Sequence, residues 1–164
     1  MKVISKQTNS KMCMICGIDN QFGLKANFYN MEDGSVASIF TFKSHHRSYP
    51  GRVHGGMISA LLDELAGRSI WVTDPNLLGV TVNMSVKFRN PVPYNEELIA
   101  VGKMVERRSR LFTAEAFIYG KDKKVLAQST ATYMILPAQS ITPIDAYDDA
   151  YDLQVPDDVK EIDL

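Results

Sequence analysis

The sequence predicts an α+β domain in which one antiparallel β-sheet wraps around a single central helix. Residues 79–89 alternate apolar and polar side chains, which is the period of a strand with one buried face. Residues 55–71 form a proline-free run that is apolar on nearly all sides, as expected for a buried helix. The segments after this run are joined by connections too short for a crossover helix, so neighbouring strands are expected to pair antiparallel.

Turn residues delimit the other predicted strands. Glu32-Asp33-Gly34 is typical of a turn, and strands are expected on either side of it, over residues 22–29 and 36–43. Asn90-Pro91-Val92-Pro93 ends the strand at 79–89 because proline has no N–H to donate to a neighbouring strand. Three further strands are predicted over residues 97–106, 111–119 and 125–136.

Composition limits the class of protein. The chain has 164 residues, of which 45% are hydrophobic and 23% charged, as in one ordinary globular domain. No apolar run approaches the roughly 18 residues that a membrane helix needs. No apolar stretch follows the N-terminal lysines, so a secretory signal is not expected. Two cysteines are too few for a disulfide scaffold. We therefore expect a cytoplasmic protein without membrane association.

Charge divides the chain into two parts. Residues 138–164 contain eight acidic side chains and one basic one, whereas residues 1–137 contain 17 basic and 11 acidic ones. We expect residues 1–137 to form the domain and 138–164 an acidic tail, solvated or loosely docked, for which partial packing stays open. The basic body favours anionic partners such as phosphate-bearing ligands. Nucleic acid is not expected because no nucleic-acid-binding motif is present.

Asp63 is the most informative residue of the predicted helix. A carboxylate within an apolar helix is costly to bury without a partner, which favours a functional role. An equally acceptable interpretation at this point is that Asp63 or Glu64 lies at a solvated edge or caps a loop. Glu64 is rotated by about 100° from the small residues Ser59 and Gly67, so we expect it to point away from the gap they leave. Asp63 is therefore the preferred acid.

The start of the helix offers a second functional group. In His54-Gly55-Gly56, two glycines leave backbone N–H groups unobstructed where the first helical turn has no internal acceptors. Such donors, together with the helix dipole, polarise a carbonyl oxygen and stabilise an oxyanion formed from it. Asp63 lies about 12 Å further along the helix axis, at 1.5 Å per residue. We therefore expect the acid to meet Gly55 of a second copy of the chain, in a dimer.

These residues resemble the PaaI-type acyl-CoA thioesterases of the hot-dog fold. The resemblance rests on His54-Gly55-Gly56, on Asp63 within an apolar helix and on the alternating strand that follows. Cys13-Met14-Ile15-Cys16-Gly17, with Asn20 and Gly23-Leu24 after it, is similar to an N-terminal signature of one branch of that family. The resemblance covers about residues 12–137. It implies a homodimer or a homotetramer that hydrolyses an acyl-CoA substrate without a cofactor.

The resemblance also implies roles for individual residues. The Gly55 N–H would bind the thioester carbonyl, Asp63 would act as nucleophile or general base, and Thr81 would assist it. His54 is a candidate base but is better explained as an orienting or structural residue just before the helix. The family commonly has Asn or Gln shortly before this histidine, and here Ser48 stands where Asn would be expected. The further residues expected to contact substrate are Gly56, Ser48 and Asn83.

Arginines are concentrated in one predicted strand connection. Arg107, Arg108 and Arg110 are interpreted either as a solvated turn or as a clamp on the phosphates of coenzyme A. The resemblance makes binding of coenzyme A phosphates about as acceptable an interpretation as a solvated turn. Arg108 and Arg110 are the main candidates for phosphate binding. Lys87 and Arg89 are weaker ones. His45 and His46 are expected in a loop near the mouth of the pocket.

Cys13 and Cys16 have the spacing of a metal or redox motif. Zinc needs four ligands and no second cysteine pair exists, while His45 and His46 converge poorly on one ion. No βαβ pattern surrounds the pair, which argues against a thioredoxin-like role. Two reduced cysteines in an N-terminal cap are the preferred interpretation, and no metal is expected.

Two other functions remain for the same fold. A non-catalytic acyl-CoA-binding protein is the main alternative, because Ser48 departs from the family pattern. Hydratase or dehydratase chemistry is less favoured because no His-and-acid motif of that type is present.

Overall fold

The computed structural model describes residues 1–141, 153 and 155–163. It contains one long helix, α1 (Gly55–Gly67), which continues as a 3₁₀ turn over Arg68–Val72. Short 3₁₀ turns also occur at Ser44–His46 and Ala138–Ser140. The strands are β1 (Val3–Lys6), β2 (Asn27–Met31), β3 (Val36–Thr41), β4 (Leu77–Phe88), β5 (Glu97–Arg107), β6 (Leu111–Tyr119) and β7 (Val125–Pro137).

The strands form one seven-stranded sheet in the order β1-β2-β3-β5-β6-β7-β4. Each neighbouring pair runs antiparallel. Helix α1 packs against β3, β4, β5, β6 and β7, so the sheet curves around it. The predicted architecture, an antiparallel sheet around one central helix, is confirmed.

The core lies between α1 and the sheet. The buried side of the helix consists of Ile58, Leu61, Leu62, Leu65 and Ala66. Fully burying a leucine or isoleucine contributes roughly 1.5–3 kcal/mol, so this face supplies much of the stability of the domain. β5 approaches the helix so closely that a Cβ at Gly102 would lie 2.8 Å from the Leu65 carbonyl oxygen. Glycine at this position therefore allows the helix to sit against the sheet.

Some element boundaries differ from those that the sequence predicts. The strand expected over 22–29 begins only at Asn27, because residues before it form a turn closed by a 2.9 Å bond from the Phe22 N–H to Asn20 Oδ1. The α-helix expected over 55–71 ends at Gly67, where the chain tightens into the 3₁₀ turn. Strand β1, only four residues long, was not predicted.

β4 differs from its prediction in burial rather than in position. The sequence predicts that its apolar residues form a buried face, but Val80, Val82 and Phe88 are 39%, 58% and 55% exposed. β4 lies at the end of the sheet and, in the described part of the chain, pairs only with β7. Leu77, Met84 and Val86 pack on the core, whereas Val80, Val82 and Phe88 extend beyond what α1 covers.

The C-terminal segment 155–163 packs along β1. The Val3 N–H donates to the Lys160 carbonyl at 2.8 Å, and the Ile162 N–H donates to the Met1 carbonyl at 2.9 Å. Ile162 is only 2% exposed, and Asp157 pairs with Lys6 at 2.9 Å. This segment is thus docked rather than solvated. The other acidic residues expected in the tail, Asp145, Asp148, Asp149 and Asp152, lie outside the described residues, as do Tyr147 and Tyr151.

In the part of the chain that the structure describes, no helix has the length and apolar character needed to cross a membrane.

Candidate active site

The N-terminus of α1 presents one free backbone donor. His54 caps the helix, and its Nδ1 accepts a 2.9 Å hydrogen bond from the Gly56 N–H. The expectation that both glycine N–H groups are unobstructed is therefore wrong for Gly56. The Gly55 N–H has no acceptor among residues 1–141, 153 and 155–163. Gly55 is half-buried, so its N–H is a fixed donor beside solvent.

Gly55 opens into a groove of about 430 Å³ that also borders Ser48, Ile58, Phe88 and Arg89. The Phe88 ring lies 3.4 Å from the position that a Cβ on Gly55 would occupy. Ser48 thus lies where the sequence predicts it, close to the start of the helix. The groove is open, and Phe88 from the sheet edge forms part of its wall.

Asp63 lies two turns further along α1 and is held by two hydroxyl groups. Thr81 on β4 donates to Asp63 Oδ1 at 2.9 Å. The Tyr133 hydroxyl on β7 lies 3.0 Å from the same oxygen and 3.0 Å from the Asp63 carbonyl oxygen. Burial, together with the charge of Asp63, raises the pKa of Tyr133, so this hydroxyl stays protonated as a donor. Asp63 Oδ2 accepts no hydrogen bond from a described residue, and it is the oxygen left for chemistry.

A cavity of about 220 Å³ surrounds the acid, lined in part by Asp63, Thr81, Tyr133, Trp71 and Gly79. Tyr133 stacks on Phe112 with ring centroids 4.8 Å apart. A Cβ at Gly79 would lie 2.8 Å from the Phe112 ring, so glycine leaves room for this stack. The sequence analysis missed Tyr133. The period-two pattern of its strand indicates that Tyr133 is buried, but not which polar group it meets.

Glu64 also borders the cavity of Asp63, but its carboxylate contacts Arg68 and Cys13. Its Oε1 pairs with Arg68 Nε at 2.8 Å. Arg68 is only 3% exposed, and its guanidinium lies 4.4 Å and 4.5 Å from the ring centroids of Phe28 and Trp71. Burial alone would lower the pKa of Arg68, but the Glu64 carboxylate raises it, so the side chain stays charged. Glu64 is therefore committed to an ion pair, which leaves Asp63 as the acid available for chemistry.

The remaining predicted substrate contacts lie on the sheet surface. Asn83 is exposed on β4 opposite Thr132. Arg108 and Arg110 are exposed in the turn between β5 and β6, and Arg108 Nε pairs with Glu106 at 2.9 Å. None of these three lines the cavity of Asp63.

The turn between β5 and β6 contains Arg108 and Arg110 and is called the arginine turn below. It lies toward the same end of the sheet as Asp63. Thr81, Tyr133, Phe112 and Arg107 occupy successive paired positions on β4, β7, β6 and β5. Three strand spacings of about 4.8 Å separate Thr81 from Arg107, or about 14 Å. A ligand extended across the strands at this row would reach both.

The two histidines before the helix have structural contacts. His46 is buried, its Nδ1 accepts from the Lys43 N–H at 3.1 Å, and its Nε2 lies 2.9 Å from the Phe22 carbonyl oxygen. Burial lowers the pKa of His46. His45 is exposed and, together with His46 and His54, borders a separate groove of about 400 Å³. These rings stabilise the entry to α1 rather than the cavity of Asp63.

The antiparallel sheet around one central helix is the hot-dog fold. Residues 50–127 match the model of the thioesterase superfamily, and the resemblance to PaaI-type hot-dog acyl-CoA thioesterases is confirmed.

Individual relatives agree with this class. The chain is 26% identical over 112 residues to acyl-coenzyme A thioesterase THEM4 of Rattus norvegicus, a match that covers 68% of this chain and 47% of the rat protein. It therefore spans about half the length of that curated relative. A crystal structure of a thioesterase superfamily protein superposes with a TM-score of 0.69 at 26% identity, covering 75% of this chain and 63% of the other.

A hypothetical thioesterase from Streptococcus pneumoniae, crystallised with coenzyme A, has the same fold. It gives a TM-score of 0.62 at 20% identity and covers 68% of this chain and 86% of that one.

Proposed function

We propose that the protein is an acyl-CoA thioesterase that hydrolyses an acyl-CoA to a free acid and coenzyme A. The observation that carries this proposal is the Asp63 carboxylate, which two hydroxyls hold by one oxygen while the other oxygen is open. The thioesterase-superfamily match supports the reaction class. The coenzyme A in the Streptococcus pneumoniae structure supports the choice of substrate.

In the proposed reaction, Asp63 attacks the thioester carbonyl carbon or takes a proton from the water that attacks it. Either route gives a tetrahedral intermediate with a negative oxygen, and its collapse breaks the C–S bond. The coenzyme A thiolate leaves and takes up a proton. If Asp63 attacks directly, water then hydrolyses the acyl-aspartate anhydride. Thr81 and Tyr133 keep Oδ2 directed at the substrate in both cases.

The oxyanion donor is proposed to be the Gly55 N–H of the partner subunit in a homodimer or a homotetramer. Within one chain, eight residues of helix separate Gly55 from Asp63, which is about 12 Å. The two groups also line different cavities. The exposed apolar side chains Val80, Val82 and Phe88 lie on β4, which pairs only with β7 among the described residues, and they favour a second copy as the missing partner.

The substrate is proposed to extend from the acid toward the arginine turn. Guanidinium groups bind phosphates bidentately, and Arg108 and Arg110 are exposed at the same end of the sheet as Asp63. Gly56, Ser48 and Asn83 remain proposed contacts nearer the helix start and the sheet edge.

We place the boundary of the hot-dog domain at residue 137, where β7 ends. A cytoplasmic location stays a prediction.

The test is Asp63→Ala on a panel of aromatic and aliphatic acyl-CoAs, with release of the coenzyme A thiol as readout. Losing a nucleophile or general base is expected to lower kcat about 10²–10⁴-fold. Asp158→Asn, at an exposed position in the C-terminal segment, is the matched control and is expected to leave kcat unchanged. Near wild-type turnover by a folded Asp63→Ala variant would show that the assigned mechanism is wrong.

The second candidate is a non-catalytic acyl-CoA-binding protein. Ser48, in place of the Asn that resembling enzymes commonly have, is the observation that favours it. Calorimetric binding of the same acyl-CoA panel distinguishes the two functions. Saturable binding without thiol release by the wild-type chain would support binding alone.

A further inference from the structure

Cys13 and Cys16 are brought together by a tight turn between β1 and β2. The Gly17 N–H donates to the Cys13 carbonyl at 2.9 Å and closes the turn. A Cβ at Gly17 would lie 2.3 Å from that carbonyl oxygen, so only glycine fits there. The two sulfur atoms and a Glu64 carboxylate oxygen all lie within 4.8 Å of one another. Both thiols are free in the structure.

Cys13 has the surroundings of a stabilised thiolate. Its Sγ accepts from the Ile15 N–H at 3.3 Å and from the Cys16 N–H at 3.4 Å. The Cys16 side chain and these backbone donors outweigh burial and the Glu64 charge, and they lower the pKa of Cys13 to about 6. The residue is only half-buried, and its neighbours Met12 and Met14 are exposed. A small reagent in solution can therefore reach Cys13.

Cys16 has the opposite character. It is buried, and its Sγ lies 3.3 Å from the Ser10 hydroxyl. Hydrogen bonding to Cys13, followed by burial and the Glu64 charge, raises the pKa of Cys16. The pair thus consists of an accessible sulfur that ionises easily and a protected one that keeps its proton, which is the division of labour between an attacking and a resolving cysteine.

The charges around the pair argue against a metal ion. Tetrahedral zinc needs four ligands, and the described residues provide a cluster of three, Cys13, Cys16 and Glu64. Glu64 Oε1 is already bonded to Arg68 at 2.8 Å. The buried Arg68 guanidinium also places a positive charge beside Glu64 and Cys16, which disfavours a second cation there.

We propose that Cys13 and Cys16 form a reversible intramolecular disulfide by exchange with small-molecule disulfides of the glutathione type. The turn already holds the Cys13 and Cys16 sulfur atoms close to each other. Cys13 Sγ also lies 4.0 Å from Glu64 Oε2. Glu64 also borders the cavity of Asp63, so this disulfide would form beside a residue of that cavity.

The exchange balances as two displacement steps. The Cys13 thiolate attacks one sulfur of the small disulfide, forms a mixed disulfide and releases one small thiolate. Cys16 then attacks the Cys13 sulfur and releases the second small thiolate, while the Cys16 proton passes to a released thiolate. The protein loses two electrons, and the small disulfide gains them and becomes two thiolates; Cys16 protonates one, and the proton that Cys13 lost to water on ionising balances the other.

The test uses the full chain, reduced and desalted, with a large excess of oxidised glutathione at pH 7. We expect both thiols to disappear from titration, and intact mass to show the loss of two hydrogens without a glutathione adduct. Dithiothreitol should return both thiols. Two thiols left after this treatment, or a stable glutathione adduct on the wild-type chain, would overturn the proposal. These readouts do not depend on any hydrolytic activity.

Two variants test the assigned roles. Cys16→Ser should stop at a stable mixed disulfide on Cys13, whereas Cys13→Ser should slow alkylation by iodoacetamide at least about tenfold, because the remaining thiol is buried. The alkylation rate of the wild-type chain should rise with a midpoint near pH 6, and this holds even if a variant does not fold. Retention of one equivalent of zinc after gel filtration would overturn the proposal in favour of a metal site.

Discussion

The two ends of helix α1 are built differently. At the end near Asp63, the Thr81 and Tyr133 hydroxyls already hold the acid, and Glu64 has its own partner in Arg68. At the N-terminal end, the Gly55 N–H has no acceptor within the described chain and opens into a groove. One end is complete within a single chain and the other lacks its complement. The two groups line different cavities, which supports the proposal that Asp63 and Gly55 of one chain serve two different sites.

Removing the donor at the open end is expected to have a large effect. Gly55→Pro deletes the N–H and adds a pyrrolidine ring, which is well accommodated at the first position of a helix. The preceding residue also suits proline, since His54 is already extended, with φ −66° and ψ 134°. Losing one oxyanion donor is expected to lower kcat about 10²–10³-fold. Steady-state release of the coenzyme A thiol from acyl-CoA measures this decrease in kcat.

Gly55→Ala is the matched control for this change. It keeps the N–H and adds a Cβ 3.4 Å from the Phe88 ring, which is an ordinary contact. We expect it to retain most of the activity and the melting temperature of the wild type. Equal losses in the alanine and proline variants would show that bulk, and not the donor, matters at this end.

A mixed dimer tests whether the two ends meet across a subunit boundary. One differently tagged chain carries Gly55→Pro and the other Asp63→Asn, and each variant alone is expected to be nearly inactive. A heterodimer isolated on both tags should regain about half of the wild-type activity, because one of its two sites combines an intact Gly55 with an intact Asp63. A heterodimer as inactive as its parents would place both groups in one chain.

At the other end of the helix, the hydroxyls around the acid should have a smaller effect. Thr81→Val removes one donor to Asp63 Oδ1 while keeping the shape of the side chain. A hydrogen bond to a charged group contributes about 1.5–3 kcal/mol, and the Tyr133 hydroxyl remains, so we expect kcat to fall about tenfold. Thr132→Val, next to Tyr133 but without a contact to Asp63, should leave kcat unchanged. A similar loss in both variants would indicate a general effect on the sheet.

The smallest expected effect concerns the arginine turn, which is the proposed phosphate anchor. Arg108→Ala combined with Arg110→Ala should raise KM for acyl-CoA several-fold, about 1 kcal/mol of screened surface charge, with kcat unchanged. Lys121→Ala removes an exposed cation from another turn and serves as the control. An unchanged KM, measured at low ionic strength, would assign the turn to the solvated surface instead.

The sequence predicted the elements whose signals are local. Strand β4 is set by period-two alternation, and the apolar run from Gly55 sets the helix, so both were located within a few residues. The contact between Asp63 and Thr81 came from the resemblance, and the structure brings these two side chains together.

The rest depends on contacts between distant parts of the chain. Tyr133 meets Asp63 from 70 positions away, and the buried Arg68 bonds to the Thr8 carbonyl 60 positions away. No periodicity encodes such pairings, because they arise only when the strands are in register. The exposure of Val80 and Val82 was missed for a related reason: alternation predicts an apolar face, but not whether one chain is large enough to cover it.

The docked C-terminal segment has a consequence for growth of the sheet. Its backbone hydrogen bonds to Met1 and Val3 occupy the outer side of β1, so one margin of the sheet is capped. In residues 1–141, 153 and 155–163, the opposite margin at β4 has no such cover. A sheet with one covered edge can pair with the sheet of one other copy, and no open edge then remains. An edge-to-edge contact at β4 would therefore join two copies and leave no open margin for a third.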